Sequence, residues 1–260
     1  SGAMEIVWVS LAALLASCLT FFSGFGLGTL LMPVVALFLP VEVAIAVTAI
    51  VHLANNLFKL ALVGNKADRS VVGRFGVPAV LAALLGAWLL NFLSGLPNAY
   101  EYQWSAHTVS VTMVKLIIGL LILGFVWLEL SPRFANMRFD ARYLSLGGAL
   151  SGFFGGLSGH QGAFRSMFLI KSGLDQQRFV ATGVVLAVMV DVARMLVYGW
   201  NFSTQAAQIN WTMVLSASLF AFAGAYVGAK VLHKVTLRTI QYIVSALLVV
   251  IGLGLVSGVL

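Results

Sequence analysis

The sequence predicts an all-α, multi-pass membrane protein built from two inverted-topology repeats. Composition predicts the class, because 61% of the 260 residues are hydrophobic and only 9% are charged, against about 25% charged residues in a typical soluble domain. So few charges cannot cover a water-facing surface, which excludes a soluble enzyme, a nucleic-acid-binding protein and a disordered chain. The repeat is predicted by two apolar segments that glycines interrupt at equivalent places in the two halves.

Six stretches are long and apolar enough to cross a bilayer, since a spanning helix needs about 20 mainly apolar residues. They are residues 42–63, 72–93, 109–130, 177–198, 210–231 and 239–258. Two longer apolar runs, 5–39 and 141–172, each predict a helix, a glycine break and a short return helix. We therefore expect about eight full transmembrane helices with two glycine-broken, re-entrant segments. Residues 1–4 resemble an expression-tag scar and are left out of the fold prediction.

The charges predict the orientation, because Lys and Arg are enriched in cytoplasmic loops. The basic residues between or beside the spans are Lys66, Arg69, Arg74, Arg133, Arg138, Arg142, Lys171, Arg178, Lys230, Lys234 and Arg238. The loops 94–108 and 199–209 contain no Lys or Arg, and neither do the termini, so we expect both termini outside. The first repeat then covers 5–130 and the second 143–260, with 131–142 as a cytoplasmic linker.

Three matches relate the two halves. The matching pieces are 24–33 with 158–167, 47–49 with 181–183, and Asn56 and Lys59 with Asp191 and Arg194. In the last match a polar side chain and a cation recur at the same i, i+3 spacing, deep in two apolar spans. The halves begin on opposite sides of the membrane, and inverted repeats of this kind are typical of secondary transporters, whose sites lie where broken helices meet.

The second glycine break predicts an anion site. A return helix that begins inside the protein presents free N–H groups and a positive dipole end, and the guanidinium of Arg165 adds a planar donor fork suited to oxyanions. Asparagine and glutamine side chains can donate further hydrogen bonds. The candidate substrate-binding residues are Arg165, His160, Gln161, Gly162, Gly24, Gly26, Gly28, Asn55, Asn56 and Arg194.

Three ionisable residues within the predicted membrane segments are candidates for carrying a coupling proton: His52, His160 and Asp191. Histidine titrates near neutral pH, and ionisable residues at membrane depth are functional candidates by default. Simpler interpretations stay open, since Asp191 and Arg194 could pair with each other on one helix face and Lys59 could extend to the cytoplasmic interface. We expect a small anion, a coupling proton and the lipid bilayer as partners, and no nucleic acid, cofactor or metal.

The whole chain resembles the sulfite exporter family TauE/SafE. The resemblance is carried by the glycine-rich segment at 24–28 with Pro33, by the second glycine cluster at 155–162, and by the Thr-Ala and Ala-Thr patterns that follow them. Two features depart from the family pattern: His160-Gln161 replaces further glycines, and Met167 stands where a proline is usual. The resemblance implies transport of sulfite or small organosulfonates across a bacterial inner membrane.

Two alternative functions stay open at this point. A passive anion channel could share the same architecture. An intramembrane serine protease is suggested by the Gly-x-Ser-Gly pattern at 156–159, but such an enzyme needs a histidine from a later helix to activate the serine. The only later histidine outside the break is His233, in a predicted cytoplasmic loop.

Overall fold

A computed structural model describes residues 2–20, 27–201, 209–231 and 237–260, and it is mostly helical. The helices of the first half are α1 (Gly2–Thr20), α2 (Leu27–Val35), α3 (Val41–Val63), α4 (Arg69–Ser94) and α5 (Met113–Leu130). Those of the second half are α6 (Pro132–Ala135), α7 (Leu144–Ser158), α8 (Gly162–Leu169), α9 (Gln176–Asn201), α10 (Trp211–Val231) and α11 (Leu237–Ser257). A hairpin of β1 (Tyr100–Trp104) and β2 (His107–Val111) joins α4 to α5.

Five of these helices are long and apolar enough to cross a membrane, which agrees with a multi-pass membrane protein. Within the described ranges they are Val41–Ala61, Arg69–Ser94, Met113–Leu130, Gln176–Gly199 and Trp211–Gly228. Each coincides with a predicted span, and shorter apolar stretches lie in α1 and α11. The prediction of about eight full spans therefore stays a prediction.

The second glycine break is present and the first is only partly described. Helix α7 ends at Ser158, Gly159 adopts the left-handed conformation with φ of 86°, and α8 begins at Gly162. Glycine suits this conformation because it has no Cβ to clash with the backbone. The predicted break residues Gly24 and Gly26 lie outside the described residues, and Gly28 lies in the first turn of α2.

Within the described ranges, the hairpin is the one element that an all-α fold does not include. Residues predicted as a plain loop contain alternating aromatic and β-branched side chains, which favour strands, and α5 consequently begins at Met113 instead of 109. The hydroxyls of Tyr100 and Tyr102 donate to the carbonyl oxygens of Val256 and Ser257, at the end of α11. The hairpin and the end of α11 therefore lie on the same side of the bundle.

The described helices pack mainly in five pairs, each joining the first half to the second: α4 with α7, α1 with α10, α4 with α9, α5 with α11, and α3 with α9. The order of contacts along each pair gives its direction. Helices α1 and α10 run parallel, since Leu14 faces Gly224 and Cys18 faces Gly228. By the same test α4 and α7 are parallel, whereas α3 and α9, and α5 and α11, are antiparallel.

Glycines make the α4–α7 contact close. A Cβ at Gly148, Gly152 or Gly156 would overlap the carbonyl oxygens of α4, so the two backbones touch without intervening side chains. Such small-residue contacts drive association between helices in membranes. This contact sets the position of α7, and therefore of the break that follows it.

Candidate functional site

The buried carboxylate of Asp191 is the centre of a polar network between α3 and α9. His52 and Asn56 are four residues apart and share one face of α3, which they turn toward α9. The Nδ1 atom of His52 lies 2.6 Å from Oδ2 of Asp191, and the amide nitrogen of Asn56 donates to the same oxygen at 3.3 Å. The Asp191 side chain is fully buried, so these contacts replace water.

The second oxygen of Asp191 binds Arg194 and Gln161. Arg194 contributes Nε at 3.1 Å and Nη2 at 2.9 Å, and Gln161 donates its amide at 3.1 Å. The Nη1 atom of Arg194 donates to the carbonyl oxygen of Gly155 at 3.3 Å. The interpretation that Asp191 and Arg194 pair with each other is therefore confirmed. Buried charges are tolerated when they are paired and hydrogen-bonded in this way.

Gln161 connects this network to a second cation. Its side-chain oxygen accepts a hydrogen bond from Nη1 of Arg165 at 2.8 Å. Its backbone carbonyl accepts a hydrogen bond from Ser151 of α7 at 2.7 Å. The backbone of Gln161 is thus held by α7, and its side chain lies between Asp191 and Arg165 and orients Arg165.

An open cavity of about 170 Å³ lies next to Arg165. Its polar lining consists of Asn56, Lys59, Arg165 and Ser166. Among the described residues no carboxylate lines it, and the two cations come from different helices, α3 and α8. Such a cavity suits a small anion with several oxygen acceptors, because each polar lining side chain can donate a hydrogen bond.

The rest of the cavity wall is apolar and comes mostly from the start of α9. These lining residues are Leu169, Phe179, Val180, Gly183 and Val184. The cavity therefore lies toward the end of the bundle where α3 ends and α9 begins. At its inner end Asn56 and Arg165 contact the network around Asp191, so the cavity and the network are neighbours.

His160 lies in the break but not in the cavity lining. Its ring stacks on Phe125, with centroids 4.8 Å apart, and its Nδ1 atom lies 2.7 Å from the hydroxyl of Ser158. That hydroxyl also donates to the carbonyl oxygen of Phe154 at 3.2 Å. The serine of the protease alternative thus has a histidine neighbour from its own break instead of from a later helix, and His233 lies outside the described residues.

The structure separates the sequence-predicted site residues into groups. Arg165 and Asn56 line the cavity, and the residues behind it are Gln161, Asp191, His52 and Arg194. Gly162 is the first residue of α8. Asn55 is buried with its side-chain oxygen unpartnered, away from this lining.

Seven lining residues are additional to the sequence-predicted site: Lys59, Ser166, Leu169, Phe179, Val180, Gly183 and Val184. The signal for Lys59 was present, because Asn56 and Lys59 recur as the pair Asp191 and Arg194 in the second half. What the sequence left open was whether Lys59 turns toward the interface or toward the protein.

Comparison with known proteins gives one match. The family model described as "Sulfite exporter TauE/SafE" matches residues 9–255, which is nearly the whole chain. No curated protein and no solved structure matches the chain.

Proposed function

The chain belongs to the TauE/SafE sulfite exporter family, whose members are membrane transporters and not enzymes, and we propose that it moves a small sulfur oxyanion or organosulfonate across the bacterial inner membrane. The observation that carries this proposal is the cavity lined by Lys59 and Arg165, with no acidic side chain among the described residues of its lining. An uncompensated pair of cations inside a membrane protein is costly. A bound anion removes that cost.

Each polar lining residue has a role in this proposal. The guanidinium of Arg165 binds two oxygens of the anion through its planar fork, and Lys59 supplies a second positive charge. Asn56 and Ser166 donate hydrogen bonds. His160, Gly162 and the first-half residues Gly24, Gly26, Gly28 and Asn55 would serve the substrate when it lies deeper, between the two breaks.

Alternating access would expose this site to each side in turn. In the two proposed repeats α1 corresponds to α7, and α4 corresponds to α10. The contact of α1 with α10 and the contact of α7 with α4 are then equivalent, as a pseudo-twofold axis between inverted repeats would produce. This pairing supports the repeats at 5–130 and 143–260. The network around Asp191 lies directly behind the cavity. This network would block passage beyond the inner end of the cavity, which supports a carrier over a passive channel.

A proton is the proposed coupling ion. His52 and Asp191 form a buried hydrogen-bonded pair, and a histidine can change its charge near neutral pH. The pair is joined to Arg165 through Gln161, so a change of protonation there would be felt at the substrate cation.

The proposed orientation places both termini outside. The relative directions of the helix pairs agree with the predicted alternation of spans, and the hairpin lies beside the end of α11. The choice of the outer side for the termini rests on the Lys and Arg residues of the other loops. In a Cys18→Ala background, a membrane-impermeant maleimide should label Ala106→Cys in the hairpin turn from outside and should not label Asn136→Cys. The reverse pattern would invert the orientation.

Flux into proteoliposomes tests the function. Wild-type protein should transport sulfite or a sulfonate with saturation, and Arg165→Gln should lower that flux by about two orders of magnitude, because removing a buried charge partner costs about 2–5 kcal/mol. Arg133→Gln, an exposed cation of the linker, is the matched control. Absence of flux for every sulfur oxyanion, or full flux by Arg165→Gln, would reject the proposal, and flux without saturation would favour a channel.

A further inference from the structure

Lys59 and Arg165 line the same cavity, and neither contacts a carboxylate within the described part of the chain. Lys59 is partly buried, and no hydrogen-bond acceptor of the described residues reaches its ammonium group. Arg165 donates to the side-chain oxygen of Gln161, which is an uncharged acceptor. Within the described residues, both cations therefore line the cavity without a carboxylate in direct contact.

Nearby acidic groups do not supply enough negative charge to balance the cations. Asp191, behind the cavity, forms an ion pair with Arg194 at 2.9 Å, and its other oxygen lies against His52. Asp68 lies on the loop before α4 and is 3.8 Å from Arg178. Asp191 also attracts Arg165, but its single negative charge is set against three cations, Arg194, Arg165 and Lys59. Two positive charges therefore remain.

From this charge balance we propose that the cavity binds its substrate as a dianion, with one charge for each cation. Two like charges close together in a medium of low dielectric repel strongly. A monoanion neutralises only one of the two positive charges, whereas a dianion neutralises both. The proposal rests on the proposed transport function. The charge preference itself can be measured by binding experiments without a transport assay.

Purified full-length protein in detergent tests the charge preference directly. Sulfate and methanesulfonate have nearly the same shape but carry two charges and one, and perchlorate is a second tetrahedral monoanion. At fixed pH and ionic strength, calorimetry should show sulfate binding at least about tenfold more tightly than either monoanion. Sulfite affinity should rise as pH converts hydrogensulfite to the dianion. Equal affinities for the three probes, or binding of none, would overturn the proposal.

Variants of Lys59 locate the preference in this cavity. Lys59→Gln should weaken sulfate binding by about tenfold, while the affinity for methanesulfonate should change by less than about threefold. The preference for the dianion should therefore be largely lost. Lys59→Arg should retain it, which guards against a variant that merely misfolds. Lys115→Gln, which removes a cation from the start of α5 outside the cavity lining, is the matched control. Unchanged selectivity in a folded Lys59→Gln protein would overturn the assignment.

Transport measurements separate this inference from the proposed function. Selective dianion binding without flux would support the cavity and reject transport. Flux of sulfite and sulfonates with equal binding of mono- and dianions would support transport and reject the dianion inference.

Discussion

Arg165 in the cavity is connected to the buried Asp191 through one side chain, that of Gln161. Its oxygen accepts from Arg165 at 2.8 Å and its nitrogen donates to Asp191 at 3.1 Å. This arrangement fixes the orientation of the amide, because reversing it would face donor with donor and acceptor with acceptor. The cation proposed to bind the substrate is thus positioned by the carboxylate proposed to carry the coupling proton.

Replacing Gln161 with Leu should raise the KM for sulfite by about tenfold. The leucine removes two hydrogen bonds to charged groups, each worth roughly 1.5–3 kcal/mol, and leaves Arg165 free to change rotamer. We expect kcat to change less than KM, since a positioning role acts mainly on binding. Gln103→Leu, in the hairpin, is the control. A KM within twofold of wild type would show that Arg165 does not depend on this contact.

Asp191→Asn should destabilise the protein, because it leaves the guanidinium of Arg194, only 2% exposed, without a counter-charge. Removing one partner of a buried ion pair typically costs about 3–5 kcal/mol. Thermal unfolding in detergent measures this loss. Removing both charges, in Asp191→Asn with Arg194→Met, should recover part of the stability.

The exposed aspartate Asp140 supplies the control for that experiment, since Asn at this position can still cap the following turn. Asp140→Asn should therefore unfold at the wild-type temperature. If the double variant were less stable than Asp191→Asn, the ion pair would not be the source of the loss.

The sequence predicted five of the spans well, because an apolar stretch of helical length has few alternatives in a bilayer. Helix α3 begins after Pro40 and ends before Gly64, close to the predicted 42–63. The family resemblance was also confirmed by the match over 9–255. These predictions needed only local composition and the order of motifs.

The contacts of the site could be predicted only in part. Spacing allowed the pair Asp191 and Arg194, but the contact between His52 and Asp191 joins residues 139 positions apart, and no local pattern encodes which helix faces meet. The direction of Lys59 was left open for the same reason. A side chain near a helix end turns inward only if neighbouring helices leave room for it, and here α8 and α9 do so.

Gly152→Ala should destabilise the α4–α7 contact by about 1–3 kcal/mol, because a Cβ there would overlap the backbone of Ala79 and such overpacking forces the helices apart. Gly124→Ala is the matched control, since nothing lies within 4 Å of its added carbon. The thermal unfolding midpoint of the first variant should fall, and that of the second should not. Equal midpoints would mean that the two backbones are not in contact.

Gly183→Ala should restrict the size of the substrate without affecting the fold. The added carbon would lie 3.8 Å from Nε of Arg165, an ordinary van der Waals contact that nevertheless narrows the cavity. The KM for sulfite should stay within about twofold, whereas the KM for a longer sulfonate such as ethanesulfonate should rise by about tenfold, since a pocket discriminates by roughly this factor for one methylene. Gly199→Ala on the same helix, with nothing within 4 Å, should change neither value. If both substrates were affected equally, the organic part of a sulfonate would not lie against α9, and the substrate would have to enter the cavity in another orientation.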